Sequence, residues 1–235
     1  MGLYAIDCPQ CGKPHQWFSG NSDQRCSECQ SGKIYFTSDP HYWHANVIRY
    51  CTRPYANVEE MCEDMIAKWN SIVKPNDIVY VLGDFSLAFR PVESYSFRFN
   101  GTRFLVPGNH DFCHSYHKKS RTKENQDKWI QKYKDYGWNI LPEQTVADFK
   151  GLGIVNMCHH PYAGPYELEG GGDKYEKWRP VDDGKILLCG HVHEKWRTRR
   201  SPKGTLMINV GVDVHGFKPV SLDEIIAIVK AEGAS

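Results

Sequence analysis

The sequence predicts an α/β domain preceded by a small cysteine-bearing module, and three observations carry that reading. Apolar runs such as Ile78-Val79-Tyr80-Val81-Leu82 and Lys185-Ile186-Leu187-Leu188-Cys189 lack polar alternation, as strands buried on both faces do. Between them, Val58 to Val73 spaces Met61, Met65, Ile66 and Trp69 as one helical face. Ahead of both stand Cys8-Pro9-Gln10-Cys11 and Cys26-Ser27-Glu28-Cys29. At 235 residues the chain is long enough for one sizeable core and an appendage.

The net charge of +1 exerts no global pull toward nucleic acid or membrane. No apolar run approaches the roughly 18 residues of a membrane helix. The opening Met1 to Cys8 lacks the basic-then-apolar order of a secretion signal, and position six is Ile, against myristoylation. The nine cysteines are therefore expected as free thiols and metal ligands in a cytoplasmic protein, of a bacterium or of a phage host cell.

Taken in order, residues 1–32 read as a zinc-ribbon-like module and 33–235 as the main domain. The two Cys-x-x-Cys pairs are fourteen residues apart, a spacing at which Cys8, Cys11, Cys26 and Cys29 wrap one tetrahedral zinc. Four thiolates leave no open position, so that zinc is structural, and it supplies the folding energy of a segment with no core. A redox pair, or two chance pairs, is the alternative. Lys33 to Ser38 is a β-branched and aromatic strand ending in Asp39-Pro40-His41. The helix from Val58 has Asn57 as N-cap and Glu59 and Glu60 in its first turn. Its methionines are core. The strand Ile78 to Leu82 stops at Gly83-Asp84, a short helix covers Pro91 to Phe99, and Thr102 to Val106 leads into Pro107-Gly108-Asn109-His110-Asp111.

Lys118 to Lys134 is helical in its second half and carries seven basic against two acidic residues; it is either a solvated face or a polyanion contact. Two β segments, Thr145 to Phe149 and Gly153 to Met157, flank a turn, and the second runs into Cys158-His159-His160-Pro161. A loop containing Gly170-Gly171-Gly172 follows and is a candidate site cover. The strand ending at Cys189 meets Gly190-His191-Val192-His193, whose histidines face one way if the backbone is extended. Arg197, Arg199, Arg200 and Lys203 form a basic hairpin arm; Thr205 to Val210 is a strand, and Ser221 with Glu224 forms a capping box before a last helix.

Five strand ends thus carry carboxylate, amide and imidazole groups, and in open α/β sheets that edge binds ligands. No serine elbow, Walker loop or dinucleotide glycine loop competes for it. The order Asp-x-His, Gly-Asp, Gly-Asn-His-Asp, His-x-Pro, Gly-His-x-His resembles the calcineurin-like metallophosphoesterase superfamily over roughly Lys33 to the C-terminus. Phe36 to His41 with Arg53-Pro54, and Val210 to Asp213 with Lys218-Pro219, resemble its bacterial and phage-type subgroup.

The resemblance implies a four-layer αββα sandwich, two mixed β-sheets flanked by helices. It also implies two divalent ions (manganese, iron, zinc or nickel): one held by Asp39, His41 and His193, the other by Asn109, His159 and His191, with Asp84 bridging. His159 is preferred to His160 because the family ligand stands two residues before the proline. The implied reaction is hydrolysis of a phosphomonoester or phosphodiester by a bridging hydroxide. His110 sits over the substrate to assist the leaving group, with Asp111 positioning it. Arg53, Arg90 and His44 are candidate substrate contacts; surface turns are the alternative for the arginines and simple packing for the histidine. The basic segments and the ribbon favour a nucleotide or nucleic-acid substrate. The competing reading is a non-catalytic nucleic-acid or protein adaptor acting through the ribbon, and it sits poorly with a chain in which no ligand position is lost.

Overall fold

A computed structural model describes residues 3–7, 14–18, 32–162 and 175–233. Strands β1 (Leu3–Asp7) and β2 (Pro14–Phe18) pair antiparallel. The four cysteines assigned to a structural zinc lie outside the described residues, as does the Gly170–Gly172 loop.

The main domain is built on two five-stranded mixed sheets. One takes β3 (Ile34–Thr37), β4 (Ile78–Val81), β5 (Thr102–Leu105), β6 (Trp138–Ile140) and β12 (Val220–Ser221) in the order 12-3-4-5-6, parallel except for β12. The other takes β7 (Gln144–Phe149), β8 (Gly153–Cys158), β9 (Leu187–Cys189), β10 (Thr198–Arg200) and β11 (Leu206–Asn209) in the order 10-11-9-8-7. Strand alternation divides the side chains between layers. Phe36, Leu82, Val106, Met157, Leu188 and Ile208 meet in the core between the sheets. Tyr35, Val79, Val81 and Leu105 point the other way, into the layer holding Met61, Met65, Ile66 and Trp69.

Those four residues are the buried face of helix α2 (Val58–Ile72), whose N-cap Asn57 accepts from the Glu60 amide as its sequence predicts. Around it lie α1 (Ala45–Tyr50), α3 (Arg90–Tyr95) and α4 (Lys123–Asp135). The last helix, α5 (Leu222–Ala231), starts on the Ser221–Glu224 capping box and buries Ile225 in the inter-sheet core. The expected sandwich of two mixed sheets with helices is therefore present. The short elements α1, β6 and β12 had no signal in the sequence; pieces of two to six residues are ordered by tertiary pairing rather than by propensity. A bridge between Ser38 and Gly211, past the ends of β3 and β11, ties the two sheets together at the edge where the polar motifs emerge.

Candidate active site

Three of the five motifs leave their strands through an unusual backbone turn. Asp39, His41, Asp84, His191 and His193 all have positive φ, between 49° and 73°. Such backbone costs about 1–3 kcal/mol per residue and gathers at functional sites; Asp and His tolerate it better than most types. Hydrogen bonds between motifs hold the strained turns: the Asp39 amide donates to Gly83 O (3.1 Å), the His41 amide to Asp84 O (3.2 Å) and the His191 amide to Asp39 Oδ2 (2.9 Å). Close approach needs small residues beside the ligands. A Cβ on Gly83 would stand 2.7 Å from His159 Nδ1, and one on Gly190 would fall onto Ser38 Oγ and the Asp39 carboxylate.

The turns fold the side chains back into one buried cluster. His159 Nε2 lies 3.3 Å from Asp84 Oδ2 and 4.0 Å from Asp39 Oδ1. His41 Nε2 is 3.8 Å from each of the same two carboxylates, and His193 Nε2 is 3.9 Å from Asp39 Oδ1. His191 Nδ1 approaches His159 Nε2 at 3.3 Å. The side-chain oxygens Asp39 Oδ1 and Asn109 Oδ1 are buried with no hydrogen-bond partner. Burying such acceptors without compensation is costly. Asp39 lies with His41 and His193, and with Asp84 and His159, in groups whose ligand atoms are all within 4.8 Å of one another; carboxylate and imidazole in such groups are the donor set of divalent cations, so the residues fit the implied metals. The backbone reading of Gly190 to His193 requires correction: both histidines reach the cluster from left-handed turns, not from extended chain. They diverge, His191 toward His159 and His160, His193 toward Asp39.

Charge within the cluster follows from burial and neighbours. Burial disfavours protonated His159, but Asp84 and Asp39 outweigh it and raise its pKa to about 9. Asp84 is held well below the usual carboxylate range: burial opposes this, and His159 dominates. Burial takes His191 down to about 3 and His41 well below 6.5. At His193 burial is outweighed by the hydrogen bond to Asp213, which raises its pKa to about 11. The set therefore holds Asp84 ionised and His41 and His191 neutral, the forms in which these groups ligate metal, while His159 and His193 carry protons that a bound cation would displace.

Three residues carry the site from behind, two of them in roles other than those expected. Asp111 does not position the His110 ring. Its fully buried carboxylate accepts from the Gly108 and Asp84 amides (both 2.8 Å) and from Phe85 N (3.1 Å), pinning the loops that bear Asn109 and Asp84. Burial, then repulsion from Asp84, pushes its pKa up to about 7. Arg53 is not a phosphate clamp either. It is buried, bidentate to Asp213 (2.7 and 2.9 Å), and donates to the carbonyls of Asp39 (2.7 Å) and Pro40 (2.9 Å). Asp213 had no role in the sequence reading beyond its place in the run Val210 to Asp213. It lies 3.2 Å from His193 Nδ1, which aims Nε2 of that ring at the cluster. Cys51, equally unforeseen, is a free thiol in the same corner.

A cleft of about 380 Å³ opens onto the cluster, lined by His41, His44, Cys51, Leu87, His110, His191, His193 and Lys195 among others. The His110 side chain is 45 % exposed there, its Nε2 3.9 Å from Asp84 Oδ2 and its amide donating to Asp84 Oδ1 (2.8 Å). His44 forms part of the cleft wall, with its ring centroid 5.9 Å from that of His41. Arg90 is exposed beside a neighbouring cavity. His160 is buried, with neither ring nitrogen hydrogen-bonded, and its ring packs 4.7 Å from that of Tyr175 and 4.8 Å from that of His191. The basic segments are largely engaged elsewhere: Lys132 and Lys119 lie over Trp129, Arg200 reaches Gly204 O and Glu232 O, and Lys203 reaches Asp182 O. No described helix is long and apolar enough to cross a membrane.

Comparison with known proteins gives this edge a context. A model of the calcineurin-like phosphoesterase family matches residues 32–195. An uncharacterized protein of Methanocaldococcus jannaschii, MJ1445, is 31 % identical over 84 % of this chain and 92 % of its own length. The gene 66 protein of Mycobacterium phage L5 is 30 % identical over 83 % of this chain and 93 % of its own. Among solved structures, the protein of unknown function AQ665 from Aquifex aeolicus superimposes with a TM-score of 0.57 at 26 % identity, covering 84 % of this chain and 99 % of that one.

Proposed function

The chain belongs to the calcineurin-like phosphoesterase family, and from that premise we propose that it hydrolyses a phosphomonoester or phosphodiester of a nucleotide at the cluster around Asp84. As a member it is a metal-dependent phosphoesterase. Asp39, His41 and His193 would hold one divalent ion and Asn109, His159 and His191 the second, with Asp84 between them. Bound there, the ions supply Lewis acidity toward the phosphoryl oxygens and acidify a water to serve as nucleophile near neutral pH. Manganese, iron, zinc and nickel all suit this nitrogen–oxygen donor set.

The remaining work falls to side chains. Hydrogen bonding of Nδ1 to Leu82 O (2.8 Å) leaves Nε2 of His159 turned to the carboxylates, and Asp213 does the same for His193. Asp111 and Arg53 keep the two carboxylate loops at their spacing. His110, exposed at the mouth and anchored through its amide to Asp84, donates a proton to the departing oxygen. Lys195 and His44 border the space that a phosphoester would fill. Cys8, Cys11, Cys26 and Cys29 would be the ligands if a structural zinc is bound by residues 1–32.

The observation that carries this reading is the convergence of Asp39, Asp84, His41, His159 and His193 on one buried space in which Asp39 Oδ1 has no hydrogen-bond partner. The test is release of p-nitrophenol from its phosphate monoester and from the bis-ester, with manganese and with chelator. Metal-dependent turnover of either supports the proposal; hydrolysis of neither, nor of any mononucleotide, would favour an adaptor acting through the ribbon.

A further inference from the structure

A second cavity, of about 350 Å³, lies beside the metal cleft and is lined by Trp43, Ala88, Arg90, Pro91, Ser94 and Tyr95. The same two loops build both spaces: His44 and Leu87 line the metal cleft, while their chain neighbours Trp43 and Ala88 line the second cavity.

Trp43 is the feature that selects the group. Its side chain is large, apolar and 45 % exposed, yet it is fixed from three sides. Its backbone sits at φ 61°, a conformation uncommon for a bulky residue. Its amide donates to Cys62 Sγ (3.3 Å), and its indole N–H donates to the Tyr95 hydroxyl. The Tyr95 ring lies nearly parallel, at 9° between planes. Strained, rigid and solvent-facing aromatic surface is a pre-formed platform for a flat ligand. Among the described residues no carboxylate lines the cavity, and the polar side chains in its wall are those of Arg90, Ser94 and Tyr95, the Tyr95 hydroxyl being engaged by Trp43. Arg stacks on or donates to heteroaromatic rings.

We propose that this cavity is a nucleobase subsite, in which the base of a nucleotide substrate stacks on Trp43 under Arg90 while its phosphate occupies the metal cleft. The assignment rests on the phosphoesterase reading above and specifies its substrate class. It also gives Arg90 a role other than clamping phosphate, since it borders the base cavity rather than the cleft.

The experiment compares adenosine 5′-monophosphate with ribose 5-phosphate, which share a phosphate and a sugar and differ by the base. Their kcat/KM values are measured on the manganese-loaded full chain, wild type, Trp43→Ala and Trp43→Phe. In parallel, the non-cleavable methylenephosphonate analogues of both are titrated by calorimetry, so that binding is read without turnover. The expected result is a preference for the adenosine compounds of about tenfold or more, the size of one base–aromatic stack. In Trp43→Ala that ratio collapses toward one; in Trp43→Phe most of it returns. Equal affinity of the two analogues for the wild type, or a ratio unchanged by Trp43→Ala, overturns the subsite. Base-selective binding of the analogue without hydrolysis of either ester would instead keep the subsite and remove the phosphoesterase reading.

Discussion

Replacing Arg53 by Met tests the bracing role that its buried contacts give this arginine. The Arg53 side chain is fully buried, and that of Asp213 is 2 % exposed. Removing one partner of such a pair leaves a buried charge uncompensated, at a cost of about 3–5 kcal/mol. The carbonyls of Asp39 and Pro40 also lose their donor, at about 1 kcal/mol or more together, since each retains a second lone pair and some relaxation is available. His193 still faces Asp213 and limits the total. A loss of about 4–6 kcal/mol follows, and at about 2–4 °C per kcal/mol for a chain of this size the melting temperature drops by about 10–20 °C. Calorimetry or urea melts on chelator-treated protein check this, because bound metal would mask part of the loss. Arg90→Met, on an exposed residue, is the control and stays within about 0.5 kcal/mol of the parent. An Arg53→Met protein that melts with the parent but shows a raised KM for phosphoester would refute the structural role and return Arg53 to the substrate.

Asp84→Ala is expected to abolish hydrolysis of bis-p-nitrophenyl phosphate, and residual activity above one per cent of the parent (about 3 kcal/mol in barrier) would remove Asp84 from the centre of the site. His110→Ala should retain metal by elemental analysis while losing turnover by about 10²–10⁴-fold; unchanged kcat rules out proton donation by that ring. For Asp213→Asn, weaker support of His193 predicts metal affinity lower by about 10–100-fold in chelator competition, and equal affinity would mean that Asp213 serves only Arg53. His114 tests acid stability. Burial, then repulsion from His159, lowers its pKa to about 3, so the imidazole is neutral in the folded state. Above pH 6.5 neither state is protonated and nothing is lost. Below it the unfolded chain gains a proton that the folded chain refuses, and stability falls by up to about 1.4 kcal/mol per pH unit until about pH 3. His114→Gln should flatten that decline in urea melts between pH 6.5 and 4; an unaltered slope would place the titrating group elsewhere.

The reach of the sequence differs between elements. The apolar runs of β4 and β9 and the capped, methionine-lined α2 are legible because burial and helical spacing act over neighbouring residues, and the structure places them within one or two residues of the expected bounds. The polar groups at the strand ends are legible as types in order. Their convergence is not a local property, and neither are the roles of the groups behind them. Asp111 adjoins His110 in the chain, which suggested that it orients that ring; the turn after Gly108 instead carries it under the Asp84 loop.

Arg53 and Asp213 make the same point at longer range. They stand 160 residues apart, and nothing in either neighbourhood marks them as an ion pair. Composition and pattern determined by themselves that this chain builds an α/β domain whose strand ends carry carboxylate, amide and imidazole, and the sandwich was what the resemblance of those motifs implied. Only the packing of one sheet on the other decided which side chains face the shared space and which brace it from behind. The physical reason is that hydrophobic periodicity is written residue by residue, whereas a buried charge finds its partner only once the sheets have closed and water has left the gap between them.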